Sequence, residues 1–383
     1  MKTVRFGIIG LGLMGRELAS AVSRWGHLEN IGVRPVITAI CDKSPPPGRV
    51  EWFHENFPTI TQVSADYREL LANPEVDAIY CAVPHHLHQE LYTAIIRSGK
   101  HLLAEKPFGI DQAANEVILA AVRERPDVVV RCSSEFPFFP GVQRIFRMIE
   151  EAAFGRIFEV NGGFLHSSDL DASKPINWKR IVALNGEYGV MGDLGMHACH
   201  VPFRAGWLPR NVRAVLSKIV PERPSGKDGK LVPCETWDNA TLLCEAADAR
   251  SGSVFPLTLK MQRIAPGQKN TWYLEIYGTK ASVRFSTKNP KRLELLEYRG
   301  GEQAWQQVDL GYDSAFKTIT GDIFEFGFSD SILQMLAAFF HDVAGGAPLR
   351  PAARCVMPEE AAMSHRLFTA ALKSQNKEST EKV

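Results

Sequence analysis

The sequence predicts an α/β unit followed by an α+β unit in one chain: a doubly wound parallel sheet first, then an open-faced, mostly antiparallel sheet with helices on one face. Between residues 1 and 131 short apolar runs alternate regularly with amphipathic ones. Repeated strand–helix units with near-continuous apolar strands mean a parallel sheet covered on both faces. After Pro140 a succession of strand-like runs replaces this alternation, the pattern of an antiparallel sheet with one covered face. At 383 residues the chain also exceeds one typical core. The expected domains are residues 1–131 and 132–383, with the closing helices able to pack back on the first.

Taken in order, strands are expected at 6–9, 36–41, 78–83, 101–104 and 128–132, and helices at 13–25, 50–56, 67–71, 88–98 and 113–125. Asp66 and Asp111 suit helix N-caps, and Gly99 suits a C-cap. In the second half a helix at 142–151 leads to a strand at 157–164 and a helix near 195–205. Strands follow at 212–220, 240–245, 254–261, 272–277, 281–285 and 293–298, with 221–229 a loop. Helices at 332–344 and 359–373 close the chain, and the polar residues from Ser374 are expected to fray. Strands such as 257–261 alternate only loosely in polarity. That predicts an apolar outer sheet face and a homodimer or homotetramer packed through it.

The net charge is +1, from 44 basic and 43 acidic residues without long blocks of either sign. Nothing here favours nucleic acid or an anionic membrane as partner. No apolar run approaches the roughly 18 residues of a membrane span, and no basic-then-apolar leader opens the chain. The cysteines at 41, 81, 132, 199, 234, 244 and 355 form no CxxC pair. Such a set fits reduced thiols in the cytoplasm. His85, His86 and His88, like His197 with His200, lack a third ligand of clear spacing, so no metal is expected. There is no nucleophile elbow for Ser/His/Asp catalysis.

The apolar run at 6–9 ends in Gly10-x-Gly12-x-x-Gly15 and opens directly into a helix. A dinucleotide pyrophosphate needs close backbone approach, which glycine permits, and a helix N-terminus aimed at its charge. Strand, glycine turn and helix stand in that order here, with Leu13 and Met14 inside the turn. Asp42 follows the next strand, placed to accept bonds from both adenosine ribose hydroxyls and to repel a 2′-phosphate. The expected cofactor is therefore NAD, with NADP second because Lys43 adjoins the acid. An ordinary tight turn and a solvated aspartate are the plainer alternatives.

Two further stretches suggest an enzyme. The strand at 101–104 ends in Glu105-Lys106-Pro107, at the carboxyl edge where open α/β sheets bind ligands. A lysine facing a cationic nicotinamide has its pKa lowered by like charge and by burial, and then exchanges a proton with a substrate hydroxyl. The plainer alternative is a surface lysine beside a turn proline. In Gly192-Asp193-Leu194-Gly195-Met196-His197 the acid and the imidazole are four apart, on one helical face. Together they can relay a proton and grip vicinal hydroxyls of a sugar. A capping aspartate and a core histidine would look the same.

With these motifs, Ala82-Val83-Pro84 to His88 and the closing helices, the chain resembles the glucose–fructose oxidoreductase / inositol dehydrogenase (Gfo/Idh/MocA) family over nearly its whole length. The resemblance implies a Rossmann domain joined to an open-faced sheet domain, with the substrate between them on the nicotinamide. By position, Lys106, Asp193 and His197 match the catalytic lysine, aspartate and histidine, and Pro84 and His88 the loop bordering the nicotinamide. Glu105 is counted with the cofactor-binding residues, and relatives commonly hold the Lys106–Pro107 bond cis. Pro84-His85 replaces a frequent Pro-Asn, and an arginine common shortly before Pro140 is absent, which puts the substrate in question. Glu135, Phe136, His166, Trp178, Lys179, Tyr188 and Trp237-Asp238-Asn239 are additional pocket candidates, with His166 and Trp178 singled out for substrate binding.

The expected activity is hydride transfer between NAD and a secondary hydroxyl of a sugar, sugar acid, cyclitol or glycoside. One alternative is an NAD-dependent glycoside hydrolase that oxidises its substrate transiently, eliminates, hydrates and reduces again. A second is a non-catalytic NAD-binding regulator.

Overall fold

β1 (Lys2–Ile9) is apolar from Phe6 onward except for Gly7, and it runs into the glycine turn that starts α1 (Leu13–Ser23). The computed structural model describes residues 1–311, 314–321 and 323–383. The chain forms two compact units, one of Met1–Gly109, Ala113–Phe138 and Ser314–Glu359, the other of Ile110–Gln112, Phe139–Asp313 and Glu360–Val383.

After α1 come β2 (Val33–Cys41), α2 (Arg49–Asn56), β3 (Gln62–Ser64), α3 (Tyr67–Ala72) and β4 (Ala78–Cys81). Then α4 (His88–Arg97), β5 (His101–Ala104), α5 (Gln112–Glu124) and β6 (Val130–Cys132) complete the alternation. The strands form one parallel sheet in the order β3-β2-β1-β4-β5-β6. The doubly wound sheet is therefore as expected. β3 is an addition: it is too short and polar to show as an apolar run, and it is held by pairing with residues 39–41 of β2.

In the second unit α6 (Pro140–Glu150) starts on a proline at its first turn, where no N–H is missed. It is followed by β7 (Ile157–Leu165), α7 (Val182–Asn185) and α8 (Met196–Arg204). β8 (Trp207–Pro209), β9 (Asn211–Ser217), β10 (Glu222–Pro224), β11 (Leu231–Pro233), β12 (Asn239–Asp248) and β13 (Val254–Gln262) come next. β14 (Thr271–Gly278), β15 (Ala281–Ser286), β16 (Arg292–Glu297) and β17 (Gln306–Asp309) end the run of strands. α9 (Phe328–Val343), α10 (Pro358–Lys377) and β18 (Glu381–Lys382) close the chain.

The main sheet runs β17-β16-β15-β14-β7-β13-β12-β9-β18, with β8 on β12. It is antiparallel except between β7 and β13. α8 packs on β7 and β13, and α6 on β15.

Three local expectations need correcting. β13 alternates strictly: Phe255, Leu257, Leu259 and Met261 are buried, while Val254, Pro256 and Lys260 face out. The outer face is thus mixed, with Val215, Leu243 and Val254 exposed among polar residues. Residues 221–229 are not all loop, because β10 pairs with β11 as a small hairpin. The tail does not fray at Ser374. The Ala214 N–H donates to Ser374 Oγ (3.0 Å) and the Leu216 N–H to Gln375 Oε1 (2.7 Å), tying it to β9.

α9 belongs to the first unit. It is apolar nearly all round and buried through most of its length, as a core helix must be. Phe6 and Trp25 meet Phe340 edge-on at 5.0 and 5.7 Å. Arg131 and Asp342 (2.7 Å) and Arg24 and Asp330 (2.5 Å) anchor its two ends.

Candidate functional site

In the first unit Gly10 has φ +94°, and a Cβ there would strike the Ala82 carbonyl. One on Gly15 would strike the Gly10 carbonyl, so helix and turn pack backbone to backbone. A Cβ on Gly12, by contrast, would meet nothing within 4 Å. Gly12 is also the N-cap of α1 and has no side chain to bond the first-turn N–H groups. Those donors and that approach suit a pyrophosphate. Leu13 is exposed, Met14 half-buried and Gly15 buried.

Asp42 accepts the Leu11 N–H at Oδ2 and the Ser44 N–H at Oδ1, both at 2.9 Å. It braces the glycine turn, and its carboxylate keeps lone-pair capacity for a ribose. Arg49 Nη1 reaches the Gly12 carbonyl at 3.5 Å. Sequence reasoning missed that cation, since nothing in its spacing points back to the turn. These residues fit a dinucleotide.

At the end of β5 the Lys106–Pro107 bond is cis, as expected. Glu105 is buried and accepts from Tyr80 Oη at 2.6 Å, while its backbone carbonyl accepts from Tyr92 Oη at 2.9 Å. The Lys106 N–H points to Glu105 Oε2 (3.3 Å). The Ser133 N–H donates to the Ala104 carbonyl, bringing the end of β6 alongside and Glu135 with it. Burial, reinforced by Glu105 and opposed by Lys106, pushes the Glu135 carboxyl up to about 7.

His88 is fully buried, with Nε2 2.9 Å from the Val83 carbonyl, Nδ1 2.7 Å from the Pro107 carbonyl, and its ring stacked on Tyr92. Burial lowers its pKa to about 4 against the pull of both carbonyls. It holds the loop of half-buried Pro84 and the Pro107 segment together.

In the second unit Asp193 lies in a π-helical turn, Met191–Gly195, not in the regular helix expected; α8 starts only at Met196. Its carboxylate is the last acid in an alternating chain of charges that ends on Lys179. Asp238 pairs with Arg180 (2.5 Å), Arg180 with Asp169 (3.3 Å), and Asp169 with Arg263 (2.9 Å). Arg263 then pairs with Asp193 Oδ2, and Lys179 Nζ with Asp193 Oδ1 (2.8 Å). Burial works against ionisation of Asp169, but Arg263 and Arg180 outweigh it and hold its pKa low. The Ile219 and Val220 N–H groups fix Asp238 at the inner end.

His197 is buried, its carbonyl accepting Trp272 Nε1–H at 2.9 Å. Phe164 meets His197 edge-on at 5.4 Å and His166 at 4.8 Å, so one ring contacts both imidazoles. The Lys179 ammonium lies over Trp178 at 5.6 Å. Trp178 is thereby gathered with Asp193, and His166 with His197. Phe136 is buried, and Tyr188 packs against His365 and Phe368 and bonds Thr369. Among the described residues, no group of three or more His, Cys, Asp or Glu gathers to hold a metal ion, and no helix is long and apolar enough to cross a membrane.

A parallel sheet with a dinucleotide turn, followed by an open sheet packed against the helical segment that bears Asp193 and His197, is the architecture of an oxidoreductase. Residues 4–132 match the family model described as oxidoreductase family, NAD-binding Rossmann fold, and 142–284 that of the GFO/IDH/MocA C-terminal domain. The chain belongs to the Gfo/Idh/MocA family of oxidoreductases.

The chain is 27% identical over 311 residues to levoglucosan dehydrogenase of Pseudarthrobacter phenanthrenivorans, covering 77% of this chain and 76% of that one. A solved levoglucosan dehydrogenase in complex with NADH and L-sorbose superposes with TM-score 0.86 at 23% identity, over 100% of this chain and 99% of that one. An oxidoreductase domain protein from Kribbella flavida gives 0.88 at 19%, over the whole of both chains.

Proposed function

We propose that the chain is an NAD-dependent oxidoreductase that moves a hydride to or from a secondary hydroxyl of a sugar, sugar acid, cyclitol or glycoside. Lys106 carries this reading: it stands at the carboxyl end of β5, in the sheet whose β1 bears the glycine turn. Ligands of open α/β sheets bind at that edge. The 27% identity to levoglucosan dehydrogenase supports a carbohydrate as substrate.

The nicotinamide, when bound, supplies the hydride acceptor or donor. Gly10, Gly12, Leu13, Met14 and Gly15 would hold the pyrophosphate and Asp42 the ribose, favouring NAD over NADP. Pro84, His88, Glu105 and Lys106 would border the nicotinamide. Lys106 or His197 takes the hydroxyl proton, while Asp193 orients His197 and, with His166 and Trp178, binds the substrate. The cations on Asp193 support this role, because they keep it an acceptor of hydrogen bonds. A homodimer or homotetramer packed through the outer sheet face is the proposed assembly, in which Val215, Leu243 and Val254 would be covered. All the cysteines are buried thiols, which suits the reducing cytoplasm.

The test incubates purified protein and NAD with a panel of sugars, sugar acids and glycosides, following NADH absorbance and product chromatography together. Steady NADH formation is expected. Product release without NADH would replace this reading with the transient-oxidation hydrolase. Neither signal, with NAD still bound, would indicate a regulator.

A further inference from the structure

Asp193 is the innermost candidate for substrate contact, yet its side chain is only 2% exposed, against 28% for the Lys179 side chain paired with it. Its Oδ2 faces Arg263 and its Oδ1 faces Lys179. The charge chain starts on Asp238 and Arg180, both wholly buried, and reaches appreciable exposure only at Lys179. The turn carrying Lys179 is fixed independently. The Lys179 N–H donates to Asn177 Oδ1 (2.9 Å), and its carbonyl accepts from Thr236 Oγ1 (2.8 Å). The ammonium also sits over Trp178.

An indole that can pack against the C–H face of a sugar ring, beside an ammonium that can donate to a ring hydroxyl, is chemistry suited to a carbohydrate. We infer that Lys179 is a specificity-determining residue that contacts the substrate, donating to a hydroxyl oxygen, and that Asp193 acts on the substrate largely through it. This rests on the carbohydrate oxidoreductase reading. It assigns to Lys179 the exposed contact that the sequence motif suggests for Asp193.

Lys179→Met, Lys179→Arg, Asp193→Asn and the Lys179→Met/Asp193→Asn double variant are compared by NADH formation from levoglucosan and from the panel sugar turned over fastest. NAD affinity is measured on each by calorimetry. Lys179→Met is expected to raise KM roughly ten- to a hundredfold, the effect of losing a hydrogen bond to a charged group, with NAD affinity unchanged. Lys179→Arg should recover much of that loss. Adding Asp193→Asn to Lys179→Met should raise KM little further, because residues acting through one contact are not additive, while any loss in kcat reports the orienting role of Asp193. A near-parental KM for Lys179→Met, or KM increases that multiply in the double variant, would overturn the assignment.

Acetic anhydride labelling of the parent, read by mass spectrometry, tests the contact without turnover. Saturating sugar should slow acetylation of Lys179 while leaving exposed Lys43 unaffected, and equal slowing or none would overturn it. Failure of every sugar to yield NADH would count against the enzymatic reading instead.

Discussion

Tyr80 donates to Glu105 Oε1 across 2.6 Å, both side chains buried, one residue before Lys106. The bond ties the middle of the sheet to the strand end that carries the lysine. Tyr80→Phe leaves a buried acceptor short of its donor, which costs about 1–3 kcal/mol. A lower melting temperature and a reduced kcat are expected, measured by thermal denaturation and steady-state kinetics.

Removing the proton acceptor should slow the chemistry and spare cofactor binding. Lys106→Ala and His197→Ala are each expected to lower turnover about a hundred- to ten-thousand-fold, with NAD affinity nearly unchanged. Near-normal turnover in either folded, NAD-binding variant would refute the assigned roles.

Asp42 should favour NAD by accepting from ribose hydroxyls and repelling a 2′-phosphate. Asp42→Ser is expected to narrow the gap between NAD and NADP in calorimetry. Because Asp42 also braces Leu11 and Ser44, some loss of NAD affinity should accompany the change. Tighter binding of NADP by the parent would contradict this.

Glu135 offers a pH signature. Its carboxyl is raised to about 7 in the folded chain from 4.5, so the folded state binds the extra proton between those values. Its stabilising contribution is present below about 4.5 and is lost as pH rises through about 7. Glu135→Gln does not titrate. Its melting temperature relative to the parent should therefore rise between pH 5 and pH 8, the range that scanning calorimetry would cover.

Breaking the charge chain should unfold more than the site. Arg263→Gln takes one of two cations from each of the buried carboxylates Asp169 and Asp193, leaving Arg180 and Lys179, and losing one partner of a buried pair costs about 3–5 kcal/mol. A large drop in denaturant midpoint is expected. Asp193→Asn should weaken substrate binding and turnover together with some stability, so its kinetics need a melting curve beside them.

The parallel sheet was legible because its strands are apolar runs punctuated by glycine and capping residues, signals that lie within a few residues of each other. So were the turn from Gly10 to Gly15 and Lys106 at its strand end. β3 escaped because pairing, not composition, makes it a strand. Asp169, Arg180 and Arg263, and the pairing that joins them to Asp238, escaped for a related reason. They lie 11 to 94 residues apart, and only the folding of β12 and β13 against the turn after Asn177 assembles them. Lys179 and Asp238 did stand out as polar pocket candidates, but their partners had no periodicity to betray them. The π-helical turn at Asp193 likewise leaves no trace in a motif that spaces an acid and a histidine as an ordinary helix would.

α9 adds a consequence for how the protein is made. Phe340 lies against Phe6 and Trp25, so the apolar centre of the first unit needs a helix translated more than 300 residues after its first strand. On the ribosome the parallel sheet must wait, with Phe6, Trp25 and Ile37 lacking their cover, while the whole second sheet emerges. A premature stop anywhere before Phe328 would therefore leave Phe6 and Trp25 without the ring that covers them in the folded first unit, even with every strand of its sheet made.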